Sequence, residues 1–250
     1  LRNARLAEGD DVDIAVDGTT GTVASASLDR TVQLWTIQGR PIRTISHRAA
    51  ITGVAFHPDP TRLAWSALDG AVSVSDITGE SRLDIALGTT ATSVAWTPAG
   101  ELLVGSDEGI YIVRDGAIRS RLGAQEGRVR CMAAHPVLDL AAAGSDDGTV
   151  SLWEVSTGEL QTRLTGHSAA ITSVSFHPTQ DLLLTASADR TLRLWTRSGD
   201  SVAVLRPDAG PLGQARFDPD GERIAVATRE AGVLWYDLEG RALGSIEQTA

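Results

Sequence analysis

The tightest constraint on what this chain can fold into is an internal period of about forty residues. The stretch GSDDGTVSLWEVSTGELQTRLTGHSAAITSVSFHP, residues 144–178, is followed by LLLTASADRTLRLW, residues 182–195, which repeats its opening theme. The position of Trp35 recurs at Ser75, Val113, Trp153, Trp195 and Trp235, in steps of 40, 38, 40, 42 and 40. A second marker keeps the same beat: Pro58, Pro98, Pro136, Pro178 and Pro219, in steps of 40, 38, 42 and 41. Each unit reads as strands. ITSVSF alternates and is β-branched; a Pro turn, DLLLTAS, a tight ADRT or DDGT turn and TLRLW follow, then a Gly-containing turn and a fourth strand such as LQTRL. Four short antiparallel strands per unit make a propeller blade. A lone blade cannot bury both its faces, so neighbours stacked on it must.

The units therefore resemble WD repeats, and the resemblance covers the whole chain. It implies an all-β WD-repeat β-propeller with six four-stranded blades, forming one domain over 1–250. The units run approximately over 10–48, 50–88, 90–126, 128–168, 170–209 and 211–250, with 1–8 a leftover outer strand. In the family the fourth strand of each blade opens the next sequence unit. The spare strand and the Met-less start lead to the expectation of six units cut from a seven-unit ring; a closed six-bladed ring is the alternative. Unit five matches best. The resemblance assigns His167, Ser187, Asp189 and Trp195 to a buried chain in which Asp holds His, His meets Ser and Ser meets the indole N–H. This is a structural tetrad, not a catalytic triad. Unit one keeps Ser27, Asp29 and Trp35 with Ala7 near the His position. Unit two keeps His47 and Asp69 but has Ala67 and Ser75. Unit three keeps Asp107, with Gly105 and Val113. Unit four keeps Ser145, Asp147 and Trp153, with Gln125. Unit six keeps Trp235, with Arg229 in place of the Asp. Trp65 either fills the volume left by the missing Trp at 75 or stands exposed for binding.

Composition narrows the chemistry. The chain has 250 residues, a hydrophobic fraction of 42% and a net charge of −10, a poor prior for nucleic acid or anionic membranes. No apolar run approaches the roughly 18 residues of a membrane span, and no signal-peptide pattern is present, so the expected compartment is cytoplasmic. All 22 basic residues are Arg, which removes Schiff-base and P-loop chemistry and suggests a GC-rich, bacterial genome. Cys131, alone of its kind, reads as an inert thiol on a strand. His57, His135 and His177 each precede Pro or a Pro turn in different units, so they read as turn residues without metal-ligand spacing. Ser145-Asp146-Asp147-Gly148 lacks a calcium-loop pattern and reads as a hairpin turn. No catalytic motif, metal site or cofactor is expected. An enzymatic propeller, a hydrolase or lyase with a metal or carboxylate site in its channel, is the competing reading.

The resemblance places a partner-binding face at the residues flanking the first apolar residue of each inner strand, and at the residue before the turn Asp. The first kind includes Asp10, Val12, Thr52, Thr92, Arg128, Arg130, Thr172 and Gly213; the second includes Leu28, Leu68 and Asp146. Most are small and neutral. Arg128 and Arg130 stand two apart on a strand, so alternation points both guanidiniums one way, toward a carboxylate or phosphate. The expected function is a non-catalytic scaffold or sensor domain that binds a protein or peptide, with Arg128, Arg130 and Asp146 facing an acidic segment and Leu28 and Leu68 as apolar contacts. Bacterial WD-repeat proteins often carry an effector domain, which implies one in the full-length protein.

Overall fold

Alternating apolar and small hydroxyl side chains, cut every five to seven residues by Asp- or Gly-containing turns, leave the backbone little choice but short antiparallel strands. The structure is a computed structural model that describes residues 11–79, 82–122, 127–208, 210–228 and 231–246. The leftover strand expected at 1–8, together with Ala7, Asp10, Gln125 and Arg229, lies outside the described residues. Among the described residues twenty-four strands form six four-stranded antiparallel sheets with their strands in sequence order, an all-β architecture of six propeller blades. It divides into two compact units, Leu1–Arg121 and Leu122–Ala250.

In the first unit, blade 1 is β1 (Asp11–Asp17), β2 (Thr22–Ser27), β3 (Thr31–Thr36) and β4 (Pro41–Ser46). Blade 2 is β5 (Ile51–Phe56), β6 (Arg62–Ala67), β7 (Ala71–Asp76) and β8 (Arg82–Ala86). Blade 3 is β9 (Ala91–Trp96), β10 (Leu102–Ser106), β11 (Gly109–Arg114) and β12 (Ala117–Leu122). In the second unit, blade 4 is β13 (Val129–Ala134), β14 (Leu140–Ser145), β15 (Val150–Glu154) and β16 (Leu160–Leu164). Blade 5 is β17 (Ile171–Phe176), β18 (Leu182–Ser187), β19 (Leu192–Thr196) and β20 (Ser201–Leu205). Blade 6 is β21 (Leu212–Phe217), β22 (Arg223–Thr228), β23 (Gly232–Asp237) and β24 (Ala242–Ile246).

Because side chains alternate across each sheet, every central strand is apolar on both faces, and the core lies between blades. Ala24, Ala26, Val32 and Leu34 of blade 1 pack on Ile51, Val54, Leu63 and Trp65 of blade 2. Blade 2 meets blade 3 through Val72, Val74, Leu102 and Val104. In the second unit Leu152, Leu164, Ile171 and Trp195 join blades 4 and 5, and Leu184, Leu194, Leu212 and Ile224 join blades 5 and 6. Each fully buried Leu or Ile contributes about 1.5–3 kcal/mol of transfer free energy. Trp65 is completely buried in the first of these layers, which decides between its two sequence readings.

The turn between the second and third strands explains the recurrent Asp-x-Thr. Asp29 accepts from the Thr31 N–H and hydroxyl at 2.8 and 2.6 Å, Asp147 from those of Thr149 at 2.8 and 2.7 Å, and Asp189 from those of Thr191 at 2.9 and 2.7 Å. The residue between is left-handed. Gly70 and Gly148 take it at φ 79° and 85°, whereas Arg30 and Arg190 hold it at 75° and 67°.

A second recurrent device joins consecutive blades. His57 packs edge-on against Trp96 of the next blade at 4.5 Å between ring centroids, His135 lies 5.0 Å from Phe176, and His177 lies 4.8 Å from Phe217. Each imidazole Nδ1 accepts backbone N–H groups of its own turn: Asp59 at 2.9 Å, Val137 and Leu138 at 3.1 and 2.9 Å, and Thr179 and Gln180 at 3.1 and 2.9 Å. These are turn residues, as the sequence suggested, and also clasps between blades.

An Nδ1 that accepts cannot carry a proton, so the clasps need neutral imidazoles. Burial, reinforced by Arg62, holds His57 below the usual histidine range; burial does the same for His135. A folded-state pKa below the unfolded one means that the unfolded chain takes up protons first. The stabilisation is therefore fully present above about pH 6.5 and is lost as pH falls through the folded values. Urea midpoints are expected to fall between pH 7.5 and pH 5. The His57→Gln/His135→Gln variant should start lower and vary less over that range; equal pH dependence in both proteins would contradict the assignment.

Candidate functional site

The best-preserved polar cluster lies in blade 5 and begins with the indole of Trp195, which has only a hydrogen to give. It donates to Thr185 Oγ1 at 2.9 Å. The Thr185 hydroxyl, 2.7 Å from His167 Nε2, gives its own proton there, which leaves Nδ1–H of His167 to meet Asp189 Oδ2 at 2.9 Å. Burial holds His167 below its usual range and so neutral, despite the raising effect of Asp189. Burial pushes the Asp189 carboxyl up, but hydrogen bonds from Thr191, the Ser168 N–H and His167 outweigh this and hold it far below the carboxylate range. A carboxylate, a neutral imidazole and a hydroxyl thus pass one continuous run of donors to acceptors, with nothing buried left unpaired.

The hydroxyl in this run is Thr185, not Ser187. Ser187 stands at the strand end, where its Oγ accepts from Asp189 N at 3.1 Å and donates to Ala169 O at 2.9 Å, closing the turn. Thr185 pairs with Arg193 in the sheet register and Leu183 with Trp195, so Thr185 shares a face with Trp195. The same correction applies to blade 1, where Trp35 reaches Ser25 at 3.4 Å while Ser27 accepts from the Asp29 N–H at 3.2 Å. In blade 4 the equivalent residue is Ala143, and the buried Trp153 N–H has no acceptor among the described residues. In blade 6 register places Tyr236, paired with Ile224, where Trp195 pairs with Leu183. Trp235 falls one residue short and so points to the opposite face, paired with Ala225.

The other predicted residues distribute between the two units. Leu28 and Leu68 sit at the same turn position of neighbouring blades 1 and 2, and are 44% and 45% exposed. In the second unit, Arg130 donates to Asp146 at 2.9 Å, with both side chains nearly half exposed. Arg128 is exposed and its carbonyl accepts from Asp146 N at 3.2 Å. The inner strand β13 shifts register between Val129 and Cys131, so a bulge falls on Arg130. Simple alternation through Arg128 and Arg130 does not survive a bulge, and the inference that both guanidiniums point one way loses its basis. Equivalent shifts occur in β1, β5, β17 and β21. Two bulge residues expected on the binding face are turned to the next blade instead: Thr52 donates to Ala91 O at 2.8 Å and Thr172 to Gly213 O at 3.1 Å. Cys131 is half-buried, with Sγ 3.9 Å from Ile171 O. Among the described residues no group of three His, Cys, Asp or Glu is placed to hold a metal.

Blade 2 carries a cluster that the sequence did not announce. Trp65 occupies the hydroxyl's register position and Ser75 that of the tryptophan. His47 meets Asp69 at 3.5 Å and, on its other nitrogen, Arg82 at 2.8 Å, while the Arg82 guanidinium lies 5.1 Å over the Trp65 ring. The signal available was the polar Arg82 and Asp84 on an outer strand beside an exchanged Trp and Ser.

Residues 39–76, 116–154 and 158–196 each match the family model "WD domain, G-beta repeat". These three segments, a little under half of the chain, match WD repeats. The first match begins just before β4 and closes with β7, so a WD repeat takes its outer strand from one blade and three strands from the next. The chain is also similar to "Periodic tryptophan protein 2" of Arabidopsis thaliana, 36% identical over 115 residues, which is 40% of this chain and 13% of that protein. WD domains generally mediate protein–protein interaction.

The revised cluster has a direct test. In a double-mutant cycle, Thr185→Val and Trp195→Phe should couple by about 1 kcal/mol, whereas Ser187→Ala and Trp195→Phe should add independently. Unfolding free energies of the single and double variants check this, and coupling through Ser187 instead would restore the original assignment.

Proposed function

We propose that this WD-repeat chain is a non-catalytic interaction platform that holds a protein or peptide partner at the blade ends bearing the Asp-x-Thr turns. The observation that carries the reading is the pair Leu28 and Leu68. Two leucines are held out into solvent at equivalent positions of adjacent blades, on turns fixed by the carboxylates of Asp29 and Asp69. Apolar side chains presented on rigid turns lose little entropy on binding. In the second unit, Arg128 and Arg130 at a blade end suit an acidic segment of a partner. The Arg130–Asp146 pair is compatible with this, because an exposed ion pair is worth about 0–1 kcal/mol and yields readily to an incoming carboxylate. Bacterial origin and an attached effector, with this chain as its sensor or scaffold, complete the proposal.

The test is affinity capture from a lysate of the source organism with three baits: the wild type, Leu28→Ser/Leu68→Ser and Arg128→Ala/Arg130→Ala. A partner retained by the wild type should fall about tenfold or more with the leucine variant, the loss of one good interface contact. It should fall further in high salt, and also with the arginine variant if its segment is acidic. Identical capture by all three baits would overturn the assignment of the site.

A further inference from the structure

We infer that His47 is a proton-operated latch that holds Arg82 over Trp65 in blade 2. An open cleft of about 420 Å³ is lined there by Ser46, His47, Arg48, Ala71, Arg82 and Asp84. Trp65 and Ser73, both with no exposed surface, lie on the adjoining strands, and the His47 side chain is only 4% exposed. Arg82 is held by four groups. Its Nε donates to Asp84 Oδ1 at 2.8 Å, one terminal nitrogen donates to His47 Nδ1 at 2.8 Å and to Ser73 Oγ at 3.2 Å, and the other reaches Ser46 O at 3.5 Å. The plane of contact is completed by the indole face of Trp65.

A guanidinium can only donate, so His47 Nδ1 must accept, and its proton sits on Nε2, toward Asp69. The imidazole is therefore neutral whenever Arg82 is docked. Protonation places an N–H on Nδ1, donor against donor and cation against cation at hydrogen-bond distance, which the pair cannot keep. The remaining charges facing His47 decide which side moves. Asp69 lies beyond Nε2 and is also bound by Arg48, so it retains the imidazolium. Asp84, over half exposed at the cleft mouth and already bonded to Arg82 Nε, can keep the guanidinium as it swings out toward solvent. Arg30, on the preceding turn, contributes its carbonyl, which accepts from the His47 N–H at 2.8 Å. Acidification thus frees the guanidinium from the indole and presents it at the cleft mouth. In blade 5 the Arg193 guanidinium also lies over an indole, 5.6 Å from the Trp195 ring, but Thr185 and Asp189 meet the two nitrogens of His167, so the histidine there is not the acceptor that holds the arginine.

The experiment is NMR on the full chain from pH 8 to pH 5. It follows the Trp65 indole N–H, assigned through Trp65→Phe, the Arg82 Nε–H, assigned through Arg82→Gln, and the His47 ring proton. The Trp65 and Arg82 signals should move together with the midpoint of His47 and stay fixed in His47→Gln. In Arg82→Gln, which removes the opposing cation, the His47 midpoint should shift to higher pH. Static Trp65 and Arg82 signals through the His47 titration, the same movement in His47→Gln, or an unmoved His47 midpoint in Arg82→Gln would each overturn the latch.

Discussion

A β-sheet whose central strands are apolar on both faces cannot stand alone in water, and everything else in this chain follows from that. The second strand of blade 5 sends Leu183 and Thr185 to one neighbour and Leu184 and Ala186 to the other, and all four are essentially inaccessible. Stacking the next sheet on each face is the one arrangement that removes both from water, and it forces the sequence to repeat. Polar groups then enter the layers at a cost unless they satisfy one another. The Asp189–His167–Thr185–Trp195 run does so completely, and the histidine clasps fix the turn and the neighbouring aromatic with a single imidazole.

Repetition also permits drift. Once a layer's volume is filled, the polar run within it is dispensable, and the blades show different stages of its loss. Blade 4 keeps the tryptophan without an acceptor among the described residues. Blade 2 exchanges the tryptophan and hydroxyl positions between two strands and recruits Arg82 from a third. That exchange keeps an indole in the layer between blades 1 and 2 and brings a guanidinium onto the histidine, 2.8 Å from its Nδ1. A fold that tolerates such changes inside can vary its turn tips more freely still, and Leu28 and Leu68 stand there beside small, neutral residues.

Much of the fold was legible in the sequence because a period of two inside a period of forty admits few structures. The strands, their order and the tight turns all follow from the alternation and from Asp-x-Thr. The errors were errors of register. Ser187 and Thr185 are both hydroxyls on one strand, and only the pairing of Leu183 with Trp195 shows which one meets the indole. Trp235 attracted the alignment because it is a tryptophan, although the steps of Pro178 to Pro219 and Ser187 to Thr228, both 41, lead from Trp195 to Tyr236. The bulge at Arg130 was hidden because an extra residue in one strand leaves no mark on composition. The histidine clasps join residues 39 to 41 apart, and their signal was the aromatic at Trp96, Phe176 and Phe217 just before each following turn. For the proposed binding residues, sequence gives turn positions and the structure leaves Leu28 and Leu68 exposed, while the chemistry of a partner is set by a molecule outside this chain.

The most direct test of mutual burial is hydrogen exchange on the Trp65→Leu variant, read peptide by peptide. Trp65 belongs to β6, but its indole fills the layer shared with blade 1. If adjacent blades stabilise one another, amides of β2 and β3 lose protection together with those of β6 and β7, by a similar factor. Loss confined to β6 and β7, with blade 1 unchanged, would show that the blades are stable separately and contradict the account.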